Sequence, residues 1–134
     1  MSIDKMKSDT DILMILFTSD FYKYYYALNL ASTYQACNKC VTVFFSGYAC
    51  NFLKKNWIEY DKLKINYKMD EFRMTSYTEV LKLCDSLNVK FFFCDTAVKF
   101  LNIKKIDFME SMNIKPMPLY RIVNKHKNNK TFFI

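Results

Sequence analysis

The sequence predicts an α/β domain built on a mainly parallel sheet, and three observations predict it. Two apolar runs of strand length, "DILMILF" (Asp11 to Phe17) and "VTVFFS" (Val41 to Ser46), lack the alternation of a half-exposed strand, so they suit strands covered on both faces. Between them, "SDFYKYYYALNLASTYQAC" carries Ala27, Leu30, Ala31 and Tyr34 at helical spacing, with Ser19 or Asp20 as N-cap. A third apolar run, "VKFFF" (Val89 to Phe93), follows a second helical segment, and each connection is long enough for a parallel crossover.

The elements follow in order. After Gly47, "YACNFLKKNW" reads as a short helix, and Glu59 to Met74 as a polar, mobile connection. Ser76 and Glu79 form an S-x-x-E capping box ahead of Val80, Leu83, Cys84 and Leu87, an apolar helical stripe. Beyond Phe93, Asp95 or Thr96 can cap the next helix, which runs through Leu101 and meets a left-handed stop at Asn102. "KKIDFMESM" reads as one or two helical turns, and Pro116 and Pro118 forbid a central strand around them. "PLYRIVNKH", with Pro118 at the first helical position, predicts a last helix before a short strand "KTFFI".

Bulk properties bound the function. A chain of 134 residues fits one domain, expected over residues 11–134 after a flexible segment 1–10. Hydrophobic residues at 51% and aromatics at 18% exceed what one small monomer readily hides, which favours a homo-oligomer. The net charge of +7 does not read as a nucleic-acid footprint. Only Arg73 and Arg121 among 20 basic residues are arginine, the lysines are scattered, and "NKHKNNK" (Asn124 to Lys130) has no aromatic interleaved and reads as a solvated turn. The N-terminal "MSIDKMKSDT" lacks the apolar core of a secretory signal, and no run reaches the roughly 20 apolar residues of a membrane span. The expected location is therefore cytoplasmic, with no membrane partner. Five cysteines at irregular spacing fit reduced thiols better than a disulfide scaffold.

If the apolar strands are parallel, their carboxyl ends share one rim, where open α/β sheets bind ligands. That rim gathers Thr18 and Ser19 after the first strand, Ser46 and Gly47 after the second, and Cys94 after the third. Cys94 also stands beside a helix N-terminus, whose N–H groups favour a thiolate by about 0.3–1 kcal/mol. Asp95 opposes this if its carboxylate faces the sulfur, and supports the geometry if it caps the helix instead. A cysteine ending "FFF" is equally well a small core residue, so both readings stand at this point.

Other candidates are weaker. Cys37 and Cys40 form C-N-K-C, but the pair follows a helix, at the negative end of its dipole, and lacks a second pair at zinc spacing. Cys84 lies on an apolar stripe and reads as core; Cys50, in the short helix after Gly47, also reads as structural although it could approach the rim. The single histidine, His126, stands between two lysines and reads as solvated, which disfavours base-assisted cysteine catalysis. Gly47 is the only glycine, so the dinucleotide and Walker loops are excluded, and neither a cofactor nor a metal is called for.

"DILMILFTSD", a helix carrying "ALNLA", then "VTVFFSGYA", "VKFFFCDTAVKFLNI" and "PLYRIVNKHKNNKTFFI", together resemble the DsrE/DsrF-like superfamily, which includes the sulfur-relay Tus proteins. The resemblance implies a three-layer α/β/α domain with a sheet of about five strands, assembling into trimers or hexamers. It further implies that Cys94 bears a persulfide, taken from a donor protein and passed to an acceptor; on the sulfur-transfer reading, rim N–H groups around Thr96 and Ala97 would stabilise negative charge on sulfur. Thr18, Ser19 and Ser46 would supply further donors. The alternative is a non-catalytic oligomeric module of the same fold that holds a small ligand or a protein segment.

Overall fold

The structure, a computed structural model, describes residues 11–134; the expected flexible segment 1–10 lies outside them. Five strands, β1 (Asp11–Leu16), β2 (Cys40–Phe45), β3 (Lys90–Cys94), β4 (Lys115–Met117) and β5 (Lys130–Phe133), form one sheet in the order β4-β3-β2-β1-β5. Every adjacent pair is parallel. Five α-helices connect them: α1 (Phe21–Ala36), α2 (Ile65–Glu71), α3 (Tyr77–Ser86), α4 (Asp95–Phe100) and α5 (Leu119–Lys125). The chain adds β2, β3 and β4 in one direction from β1, then returns past them to place β5 on the far side. That reversal puts α5 on the opposite face from the earlier crossovers, because parallel crossovers share one hand.

Residue parity along the strands shows the three layers. Ile12, Met14, Leu16, Val41, Val43, Phe45 and Phe91 face the main core with α1, α3, α4 and the 3-10 turn Gly47–Leu53. Leu13 and Phe44 face the other way, against Ile122 of α5, with Ile15, Phe92, Cys94 and Met117 packed at the margin.

The helices start and stop where local chemistry dictates. Asp20 caps α1 by accepting the Lys23 N–H at 3.0 Å, and Ser76 caps α3 by accepting the Glu79 N–H at 3.2 Å. Three helices end alike: Asn38, Asn88 and Asn102 take positive φ, and Lys39, Val89 and Ile103 donate back to the carbonyls of Tyr34, Cys84 and Val98, all at 3.0 Å. In a chain with one glycine, asparagine fills the left-handed position of these stops.

Several expectations need correction. Residues 59–74 are not a bare connection. They hold α2, started by the buried Asp61, whose carboxylate accepts the Ile65 and Asn66 N–H groups at 2.9 and 2.7 Å, and anchored by the buried Met69. On α3 the buried stripe is Tyr77, Val80, Leu81 and Cys84, whereas Leu83 is exposed. Pro118 occupies the N-cap of α5 rather than its first turn. His126 is not on the surface: at the C-cap of α5 it is only 4% exposed, sealed where that helix meets the sheet. Pro116 does sit in a strand, but in the three-residue edge strand β4, where a missing donor is tolerated.

Candidate functional site

Cys94 is the last residue of β3 and the N-cap of α4, and it is half-buried. Neither Asp95 nor Thr96 caps that helix; both lie inside its first turn, and the cap position makes no side-chain bond. The Asp95 carboxylate turns along α4 to pair with Lys99 Nζ at 3.5 Å. It lines a cleft with Phe93 and Val98 on the other side of β3, away from the cavity that Cys94 faces. The carboxylate therefore does not crowd the sulfur.

The cavity beside Cys94 has a volume of about 560 Å³ and opens at the carboxyl edge of the sheet. Ser46, Gly47, Thr96 and Ala97 line it together with Cys94, as do six apolar or aromatic residues nobody would single out from composition: Ile15, Phe17, Phe44, Tyr48, Phe100 and Phe133, with Leu119 from α5. None of these lining side chains is charged. Several stand well out into solvent, Phe100 at 78% and Phe133 at 69% exposure. A larger cleft of about 640 Å³ on the opposite side of β3 carries charges, Lys55, Asp95, Lys105 and Glu110, but no thiol.

Of the residues expected at the rim, Thr18 and Ser19 are not drawn into this cavity. Thr18 Oγ1 accepts the Asp20 N–H at 3.0 Å, and its own N–H donates to the Ile134 carbonyl at 3.1 Å, so it serves the turn into α1. Ser19 is exposed in that turn. Ser46 is buried, its hydroxyl directed at the Leu16 carbonyl 3.4 Å away. Gly47 adopts φ +49°, and a Cβ there would overlap the Phe17 ring, so the absence of a side chain lets that ring form the cavity wall.

The remaining thiols fall elsewhere. Cys37 caps the C-terminus of α1 and Cys40 opens β2, which puts both at the amino edge of the sheet, opposite Cys94. Cys84 is sealed in the main core, its Sγ donating to the Leu28 carbonyl at 3.4 Å, and burial pushes its thiol up to about 12. Cys50 is fully buried, but unlike Cys84 it lies close enough to Cys94 for the two sulfurs to interact. The sequence left an approach of Cys50 to the rim open, since it depends on how the Gly47–Leu53 turn folds back over β2 and β3.

The described residues thus form an α/β domain, a five-stranded parallel sheet with helices on both faces and a half-exposed thiol, Cys94, at its carboxyl edge. The model of the DsrE/DsrF-like family matches residues 11–132, and the chain belongs to that family. A search of curated proteins finds no match. Family membership relates the chain to sulfur relay at the level of the fold class. Among the described residues no helix is long and apolar enough to cross a membrane, and no three His, Cys, Asp or Glu side chains gather as metal ligands would.

Proposed function

We propose that this protein is a sulfur carrier that holds sulfane sulfur as a persulfide on Cys94. The observation that carries the reading is the position of that thiol: half-exposed, in the wall of an open cavity, at the start of α4, with the neighbouring carboxylate turned away to Lys99. In the transfer step the Cys94 thiolate attacks the outer sulfur of a donor persulfide, R–S–SH. The donor S–S bond breaks, the donor leaves as R–S⁻, and Cys94–S–SH remains. An acceptor thiolate repeats the attack and regenerates the Cys94 thiolate. No electrons are gained or lost overall, so no cofactor is required.

Donor and acceptor are proteins, and the exposed apolar rim of Phe100, Leu119 and Phe133 supports both their docking and self-association into a trimer or hexamer. The test is intact-mass measurement after incubation with a low-molecular-mass persulfide donor. The expected result is a gain of one sulfur that maps to Cys94 and vanishes in Cys94→Ser. No gain, or a gain that maps to Cys37 or Cys40, overturns the assignment and leaves the cavity as the site of a non-catalytic binding module.

A further inference from the structure

Cys50 lies in the 3-10 turn after β2 and donates its S–H to the Phe45 carbonyl at 3.5 Å. Phe45 is the register partner of Phe93, so the Cys50 sulfur hangs over the ends of β2 and β3, beside the point where Cys94 follows Phe93. α4 starts at the next residue and packs on the turn that carries Cys50. Burial first, and the Cys94 sulfur second, push the Cys50 thiol up to about 12, while the Cys94 main-chain N–H pulls the other way. The two thiols are neighbours with opposite access: Cys94 opens onto the cavity and Cys50 is sealed from solvent.

We propose that Cys50 is the resolving partner of Cys94, closing on it in a reversible disulfide when a hydroperoxide oxidises the exposed thiol. The Cys94 thiolate attacks the peroxide oxygen, the O–O bond breaks, and ROOH leaves as ROH after taking up a proton, with Cys94 now a sulfenic acid. The Cys50 sulfur then attacks the Cys94 sulfur and the S–O bond breaks. The hydroxyl departs with the Cys50 proton as water, and Cys50–S–S–Cys94 remains. Two thiols lose two electrons and one peroxide gains them. An external dithiol reverses the closure.

Protonation of Cys50 does not prevent this. With the thiol near 12, about one part in 10⁵ is thiolate at pH 7. Cys94 faces the cavity, so its side chain must first turn toward Cys50; once it has, an intramolecular attack has an effective molarity on the order of 10⁵ M, which offsets that fraction. The same protonation and burial keep Cys50 from reacting with peroxide itself, so oxidation begins at Cys94. The inference rests on Cys94 being the reactive thiol, but not on sulfur transfer. Its consequence is regulatory: oxidant masks the carrier sulfur and spares it from irreversible sulfinic acid.

The experiment treats the reduced full-length chain with hydrogen peroxide, without any sulfur donor, then blocks free thiols and maps peptides without reduction. The expected product is a cross-linked peptide pair holding Cys50 and Cys94, reversed by dithiothreitol. In Cys50→Ala the cross-link disappears and the fraction of Cys94 recoverable as thiol falls on the order of tenfold, because sulfinic acid accumulates. The wild-type map decides without any variant. If Cys94 instead over-oxidises with Cys50 still free, or links to Cys37, Cys40 or a second chain, the inference is overturned. Loss of cross-linking with sulfur loading intact removes only the resolving role; loss of loading with cross-linking intact removes only the relay.

Discussion

Two buried tyrosines fix the turn that carries Gly47, Tyr48 and Cys50, and removing their hydroxyls one at a time gives an asymmetric result. Tyr77 Oη donates to the Phe52 carbonyl at 2.6 Å, and Tyr24 Oη lies 2.6 Å from Tyr77 Oη. Since the Tyr77 proton is committed to Phe52, Tyr24 is the donor in the second bond. Both rings are fully buried, and burial raises both hydroxyls well above their ordinary range, so each stays protonated throughout neutral pH. Tyr24→Phe deletes one bond and leaves Tyr77 still donating, at a cost of about 0.5–1.5 kcal/mol. Tyr77→Phe deletes both bonds and strands a buried Tyr24 hydroxyl and the Phe52 carbonyl, each costing about 1–3 kcal/mol, for a total of about 2–6 kcal/mol. The double variant costs no more than Tyr77→Phe alone, because the stranded hydroxyl has gone. Urea unfolding reads these values directly: at a slope of about 2 kcal/mol/M, Tyr77→Phe lowers the midpoint by about 1–3 M and Tyr24→Phe by about 0.3–0.8 M. If Tyr24→Phe costs as much as Tyr77→Phe, the donor order is wrong and with it the anchoring of the turn over Cys94.

Gly47→Ala is expected to destabilise by about 1–2 kcal/mol from the left-handed backbone alone, with a further loss from overlap with Phe17. Urea midpoints for Gly47→Ala and for Gly47→Ala combined with Phe17→Ala separate the two, since the double variant retains only the backbone part relative to Phe17→Ala. His126 yields a pH dependence. Burial, then Lys125, lower its pKa, with Asn129 and Asp11 opposing and Lys90 adding to the decrease. A folded pKa below the unfolded value near 6.5 gives stability that is complete above that pH and is lost as pH falls through the folded value. The urea midpoint of the wild type should therefore fall between pH 7 and 5, whereas that of His126→Gln stays flat over the same range; parallel curves would show that His126 is not the titrating group.

The strands and most helix limits were legible because they depend on short-range chemistry. The runs 11–17, 41–46 and 89–93 carry enough contiguous apolar surface to be covered twice, Ser76 and Glu79 mark one helix start, and Asn102 marks a stop. What could not be read depends on tertiary placement. α2 begins because a buried carboxylate, Asp61, reaches its first N–H groups, and a polar sequence hides that. His126 is flanked by lysines, yet the docking of α5 buries it. At the site, Cys94 and its place before a helix followed from "FFFCDTAVKF", and one further signal was present: Asp95 and Lys99 stand four apart, which suffices to direct the carboxylate along the helix. The aromatic wall was not legible, because which of 13 phenylalanines face the cavity is fixed only by strand register and by the return of β5 beside β1.

The contrast between the two neighbouring cysteines follows from topology. Five strands at about 4.8 Å spacing make a sheet about 19 Å wide, and a helix with its side chains covers about 10 Å. Three crossovers in one direction stack α1 and α3 side by side on one face, with the Gly47–Leu53 turn and α4 extending that layer, so the face is closed. The single return crossover supplies only α5, whose one buried side chain is Ile122, to the other face. About half of that face is left without a helix, and the uncovered part at its carboxyl end is where Ile15, Phe44 and Phe133 open onto the cavity. Cys50 belongs to the closed layer and Cys94 to the border between the two, packed against both clusters. The strand order therefore separates a protected thiol in the closed layer from an accessible one at its border.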